Sequence, residues 1–323
     1  MAKLTLIQAI RSALATAMER DPSVVLLGED IGRNGGVFRA TEGLFERFGA
    51  ERVIDTPLAE SGIVGCAIGM ALNGLKPVAE IQFEGFLFPA LDQLISHAAR
   101  YHTRSRGQWS VPLVVRCPWG GGIHAPEHHS DSPEALLTHT PGLKVVMPTT
   151  PFDAKGLLLA AIEDPDPVIF CEPKRLYRSL RQEVPDDAYT VPIGEARIVT
   201  EGDTLTVISW GAPAHECEET LRQRPDLSAE LIDLRSLAPL DWETVLSSVQ
   251  KTGRAVIVHE APRTSGLGAE IAATIQEQCL LHLQAPVVRV AGPDAIMPLY
   301  KLEQVYLPDM ARIGAAIDQV LGF

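Results

Sequence analysis

What the chain has little of narrows its function first. Cysteine is sparse: Cys66, Cys117, Cys171, Cys217 and Cys279 stand far apart, with no CxxC pair. That spacing argues against a zinc ribbon or a disulfide framework and fits a reducing compartment, the cytoplasm or a matrix-like equivalent. No apolar run reaches the roughly 18 residues that a membrane-crossing helix needs. The N-terminus is no export signal, because Leu6, Ile10, Leu14 and Met18 recur every fourth residue between polar ones, as on one face of an amphipathic helix. Basic residues are in the minority, 28 against 41 acidic, for a formal charge of −13. This is the wrong sign for holding nucleic acid or an anionic membrane, and it suits a partner with a basic patch. There is no solenoid repeat, no GxSxG elbow and no GxxxxGK[ST] loop, so repeat, serine-hydrolase and P-loop readings fail.

What is present is an alternation of strands and helices. Thr5 can cap a first helix that stops at Asp21-Pro22. Short apolar runs at 24–28, 53–55, 78–81, 113–116, 143–147 and 168–171 read as buried parallel strands. Helices are expected between them at 59–72, 88–104 and 153–162. Residues 173–200 carry Pro173, Pro185 and Pro192 with little periodicity, the mark of a linker. Strands then resume at 205–209, 229–234, 255–259 and 287–290, with helices between. The pattern predicts an α/β protein of two domains: a parallel-sheet domain over 1–185, a linker over 186–200 and a smaller α/β domain over 201–323.

Three clusters could carry chemistry. Glu60 follows Asp55-Thr56-Pro57 and leads into Ser61–Leu72, which has no charge but has Gly62, Gly65 and Gly69. A carboxylate at such an edge can be desolvated and suited to proton transfer, although a glutamate in a first helical turn is also favoured simply by the helix dipole. The glycines sit inside the helix and not in the strand-to-helix turn, so they fit close packing better than a dinucleotide site. The loop WGGGIHAPEHHSDSPE brings His124, His128 and His129 together without a zinc pattern, either as functional loop residues or as solvated surface. The turn Asp164-Pro165-Asp166-Pro167 offers oxygen ligands to a hard cation, or is merely a solvated connection.

Taken in order, LGEDIGRNGGVF, DTPLAESGIVGCAIGMALNGLKPVAEIQF, HHSDSPEALLTHTPGLKVVMPTTPFDAKGLL and DPDPVIFCEPKRLYR closely resemble the beta subunit of the thiamine-diphosphate-dependent decarboxylating component of 2-oxo acid dehydrogenase complexes. LRSLAPLDWETVLSSVQKTGRAVIVHE extends the likeness through the second domain. The HSDSPE and EPKRLYR wording looks more like the branched-chain type than the pyruvate type, with pyruvate and acetoin dehydrogenase beta subunits as the alternatives. The resemblance implies a transketolase-like pair of domains, in which Glu60 exchanges a proton with the cofactor's pyrimidine ring. Leu58, Gln82 and Phe86 would line the ring's pocket, with Glu29 nearby. Phe86 stands where tyrosine is common and cannot donate a hydrogen bond. His129 would orient or protonate the reacting group and assist acyl transfer to lipoamide, with Asp131 where glutamine is usual. Asp164 and Asp166 fall where relatives place a potassium ion.

Thiamine enzymes hold the diphosphate through magnesium and a GDG motif with a later asparagine, and this chain has no GDG. The resemblance therefore implies half a site, completed by an alpha subunit that supplies the magnesium and phosphate ligands in an α2β2 heterotetramer. That assembly would dock a lipoyl-bearing acyltransferase core, to which Asp294 and the Phe323 carboxylate could offer negative charge. A self-sufficient transketolase-type enzyme and a scaffold that has lost its chemistry are the other readings. The missing GDG argues against the first, and the joint presence of Glu60, Gln82 and His129 against the second.

Overall fold

The computed structural model describes all 323 residues. They divide into two compact units: Met1–Trp119 with Leu136–Ile193, and Gly120–Ala135 with Gly194–Phe323.

In the first unit, strands Val24–Gly28, Val53–Asp55, Lys76–Glu80, Val114–Trp119, Lys144–Val146 and Val168–Pro173 lie parallel. Their order across the sheet is 144–146, 168–173, 114–119, 76–80, 24–28, 53–55. Every residue of VVLLG and of VIFCEP is buried, as expected of strands covered on both faces. The helix Leu6–Arg20 turns Leu6, Ile10, Ala13, Leu14 and Ala17 inward and packs on the helix Pro151–Glu163. Its start is fixed by Gln8, whose Oε1 accepts the Thr5 N–H at 3.0 Å, one half of a capping box.

The strand order has a consequence for function. From 24–28 the chain steps outward to 53–55 and then crosses back to 76–80 on the other side. The connections after 24–28 and after 76–80 therefore leave in opposite directions. A crevice opens at such a switch point, beyond the carboxyl ends of the strands.

Two stretches differ from the sequence expectation. Residues 88–104 do not form one α-helix. The chain winds tightly over Glu84–Ala90, widens to a π turn over Gln93–His97, tightens again and ends in a short α turn at Tyr101–Arg104. Pro89, inside the first segment, lacks an N–H and blocks a regular α ladder there. The proline-rich stretch after 173 is also more structured than its composition suggests. Gln182–Val184 pairs with Ala2–Leu4, the Lys155 ammonium donates to the Pro185 and Asp186 carbonyls at 2.8 and 2.9 Å, and Tyr189 stacks on Phe152.

The second unit carries a five-stranded sheet in the order 288–292, 255–262, 205–209, 229–233, 197–200. The first four run parallel and Arg197–Thr200 antiparallel. Leu205, Val207, Leu231, Val256, Val258, Ile313 and Ile317 form its core. No helix of the chain is long and apolar enough to cross a membrane.

Candidate active site

The switch point of the first unit collects the residues singled out around Glu60. Glu29 directly follows the strand Val24–Gly28, Gln82 comes two residues after Lys76–Glu80, and Glu60 opens the helix Glu60–Leu72. The Gln82 side chain donates to the Glu29 carbonyl at 3.4 Å, a long bond that spans the two strand ends. The backbone is drawn in tightly at this point. A Cβ on Gly28 would lie 2.8 Å from the Glu80 carbonyl, so only glycine lets the neighbouring strand ends approach so closely. The Asp55 carboxylate accepts the Gly32 N–H at 2.6 Å and so pins the glycine loop after Glu29.

Glu29 is 8% exposed. Burial first, then the negative charges of Glu60 and Asp30, hold its carboxyl above the ordinary carboxylate range. The Glu60 carboxylate thus lies close enough for its charge to be felt at Glu29. The hydroxyl of Thr56 in the same turn is buried without a hydrogen-bond partner. Such an orphaned group points to a site shaped for a polar ligand. Leu58 is 79% exposed, an apolar side chain presented outward from this turn. Phe86 is half-buried and meets Phe83 edge to face at 5.9 Å.

Beneath these residues lies a buried ionic network that sequence reasoning missed. Arg116, 2% exposed, is held by Glu80 at 2.8 Å and Glu172 at 2.7 Å, and the Tyr177 hydroxyl donates to Glu172 at 2.6 Å. Burial would lower the Arg116 pKa, but the two carboxylates overcome it and hold the guanidinium firmly charged. Lys174 and Glu84 form a second pair at 2.7 Å, neither of them exposed at all. Glu80 and Glu84 flank Gln82, so these ions brace the segment that carries both Gln82 and Phe86. The available signal was a charge set within an apolar strand run, Arg116 in VVRCPW and Glu172 at the end of VIFCE.

His129 belongs to the second unit, on the loop Gly120–Ala135. Carboxylates of that unit anchor the loop. Glu260 accepts the Gly121 N–H. Glu303, 1% exposed, accepts the N–H groups of Gly122 and His124 at 2.6 and 3.0 Å and pairs with the His124 ring at 2.7 Å. Gly120 must be glycine here, since it has φ +77° and a Cβ would lie 2.7 Å from Glu260. His124 is thus occupied in holding the loop. His129 Nδ1 lies 2.7 Å from the Glu127 carbonyl; a carbonyl can only accept, so Nδ1 carries the proton and Nε2 is the basic nitrogen of the neutral ring. Beside it, Pro126, His128, Ser130, Asp131, Met297 and Leu299 line a cavity of about 140 Å³.

The structure thus brings Glu29, Glu60 and Gln82 together in one unit and sets His129 on the other. The acidic turn has a different occupation. Lys144 reaches both oxygens of Asp164 at 2.7 and 2.8 Å and Asp166 at 3.3 Å. An ammonium thus engages both carboxylates, with one Asp166 oxygen left outside these contacts. No three His, Cys, Asp or Glu side chains cluster in a way that could hold a metal. Asp294 likewise serves the chain itself, accepting the Thr264 N–H and hydroxyl at 2.8 and 2.7 Å.

Comparison with known proteins identifies both domains. Residues 2–179 match the family described as transketolase, pyrimidine binding domain, and residues 194–313 match transketolase, C-terminal domain. The chain is 52% identical to the pyruvate dehydrogenase E1 component subunit beta of Acholeplasma laidlawii, over 99% of this chain and 98% of that protein. It is 50% identical to the 2-oxoisovalerate dehydrogenase subunit beta of Pseudomonas aeruginosa, over 98% and 95%. The chain belongs to the beta subunits of thiamine-diphosphate-dependent 2-oxo acid dehydrogenases. The mitochondrial 2-oxoisovalerate dehydrogenase subunit beta of Dictyostelium discoideum is a further relative, 52% identical over 99% of this chain and 87% of that one. Among solved structures, a split-gene transketolase described as an inactive beta4 tetramer shares the fold, with TM-score 0.80 at 21% identity over 99% of both chains. The expectation of two transketolase-like α/β domains therefore holds.

Proposed function

We propose that this beta subunit binds the pyrimidine half of thiamine diphosphate and, with an alpha subunit, oxidatively decarboxylates branched-chain 2-oxo acids, passing the acyl group to lipoyl groups on an acyltransferase core. The observation that carries this reading is the carboxyl pair Glu29 and Glu60 beside Gln82, at the switch point of a sheet of the pyrimidine-binding family. When bound, the cofactor supplies the electron sink for decarboxylation. Glu60 holds and returns the proton at the pyrimidine ring, and Glu29, kept above the ordinary range, favours sharing that proton. Gln82 fixes the ring's polar edge, while Leu58 and Phe86 exclude water from its faces. His129, with Nε2 basic, would orient the reacting oxygen and give a proton to the sulfur released when the lipoyl disulfide, the oxidant of the reaction, opens to take the acyl group.

The diphosphate needs ligands that this chain lacks, since it has neither a GDG motif nor a metal-holding cluster. We assign those, and magnesium, to the alpha subunit, in an assembly of two chains of each kind. A second reading, pyruvate as the substrate, is equally consistent with the relatives, since the chain is 52% identical both to a pyruvate dehydrogenase subunit and to a 2-oxoisovalerate dehydrogenase subunit.

Co-expression with its alpha subunit tests both. The reconstituted enzyme is expected to show a higher kcat/KM for 3-methyl-2-oxobutanoate than for pyruvate, and the opposite ranking reverses the substrate. Glu60→Gln should lower decarboxylation at least 100-fold while the assembly still elutes at full size. Near-normal turnover by that variant would sink the role given to Glu60.

A further inference from the structure

Away from the crevice just described, the first unit has a cleft of about 270 Å³ whose walls include Arg11, Arg39, Arg178 and Arg181. These come from separate parts of the chain: the helix Leu6–Arg20, the glycine loop after Glu29, and the segment after the strand Val168–Pro173. One carboxylate, Glu42, lines the cleft and is spent on Arg11 at 2.6 Å. Arg39, Arg178 and Arg181 contact only neutral acceptors. Arg178 donates to the Phe38 carbonyl at 3.2 Å, and Arg181 to the Lys3 carbonyl at 3.4 Å and the Gln8 side chain at 3.5 Å. Arg39 donates to the Asn34 carbonyl and sits at φ +68°, a left-handed conformation that a residue with a Cβ adopts at a cost.

Three guanidinium groups thus line one cleft whose single carboxylate is already paired with Arg11, on a chain of formal charge −13 in which acids are in excess. Each guanidinium keeps N–H donors in a planar fork that matches the oxygens of a phosphate. The volume suits a small phosphorylated molecule and is short for an extended peptide. We propose that this cleft is a binding site for the phosphate group of a small metabolite. Phe38 lines the cleft and meets Phe83 at 5.5 Å, which in turn meets Phe86 at 5.9 Å. A run of packed rings thus joins the cleft to Phe86.

The test titrates inorganic phosphate into the reconstituted α2β2 enzyme saturated with thiamine diphosphate and magnesium, following the phosphorus resonance. Binding should weaken at least tenfold in Arg178→Gln/Arg181→Gln, and it should weaken as salt is raised. If that double variant fails to fold, Arg39→Gln supplies the same comparison. Phosphate binding unchanged by these substitutions, or no phosphate binding at millimolar concentration, overturns the proposal. So does arginine-dependent binding of an acidic peptide in place of phosphate. Because the readout is binding and not turnover, its failure leaves the assignment of the crevice untouched.

Discussion

His259 shows how much one side chain of the second unit is asked to tolerate. It is fully buried, stacked on Trp210 at 5.1 Å with the rings 10° from parallel, and its ring nitrogens have no hydrogen-bond partner. Burial first, then the positive charges of Arg289 and Arg263, push its pKa from 6.5 down to about 4; the Ala261 backbone opposes this without completing a hydrogen bond. Above pH 6.5 the ring is neutral in both folded and unfolded chains, and stability does not depend on it. As the pH falls from 6.5 toward 4, only the unfolded chain takes up the proton. Stability is then lost at up to about 1.4 kcal/mol per pH unit, roughly 3 kcal/mol in all. Denaturant titrations at pH 7 and pH 4.5 should show this loss in the parent and a much smaller one in His259→Phe. An equal loss in both would assign the acid sensitivity elsewhere. Nothing in the sequence around VIVHE marked this histidine, because its environment is built by Trp210 and by Gly266 and Gly268, against which the ring packs.

At the scale of elements, the strands were legible because each is a near-continuous apolar run, and the crevice residues because they follow those runs directly. The braces were not. Arg116 finds its carboxylates 36 and 56 residues away, and Lys174 finds Glu84 at a separation of 90, distances over which no local period carries information. Removing one member of the Lys174–Glu84 pair strands a buried charge. Lys174→Met should therefore cost about 3–5 kcal/mol, while Lys174→Met/Glu84→Gln should recover most of it, as read by urea denaturation of the full chain. If the single variant is as stable as the parent, the pair does not brace the segment from Gln82 to Phe86. The irregular winding of 84–104 was hidden for a similar reason. Pro89 was visible, but the sequence does not say how a chain accommodates a proline once tertiary packing holds it on both sides.

At the scale of the whole molecule, the helix Glu60–Leu72 is the informative element. Its inward face is Ile63, Val64, Ala67, Ile68 and Ala71, which leaves Gly62, Cys66 and Gly69 outward. The close packing that the glycine spacing suggested is not made within this chain. A Cβ on Gly69 would meet nothing within 4 Å, and one on Gly65 would meet only the Gln93 side chain, at 3.3 Å. A glycine mid-helix costs about 1 kcal/mol relative to alanine, a cost that another chain's close approach would offset. Gly69→Leu is thus expected to leave the folded chain intact, with an unchanged circular dichroism spectrum, while size-exclusion chromatography shows the α2β2 assembly lost or weakened. Full assembly in that variant would mean the face stays open to solvent.

The loop bearing His129 has a bearing on how such proteins can be recombined. It lies in the first half of the sequence, yet Glu260 and Glu303, which hold its backbone, come from the second. A chimaera that joins the N-terminal half of one relative to the C-terminal half of another divides the loop from its clamps at the seam. Such hybrids inherit the loop from one parent and the carboxylates that hold its backbone from the other. Gly120–Ala135 therefore has to travel with residues 194–323 if the loop is to keep its backbone contacts in the exchange.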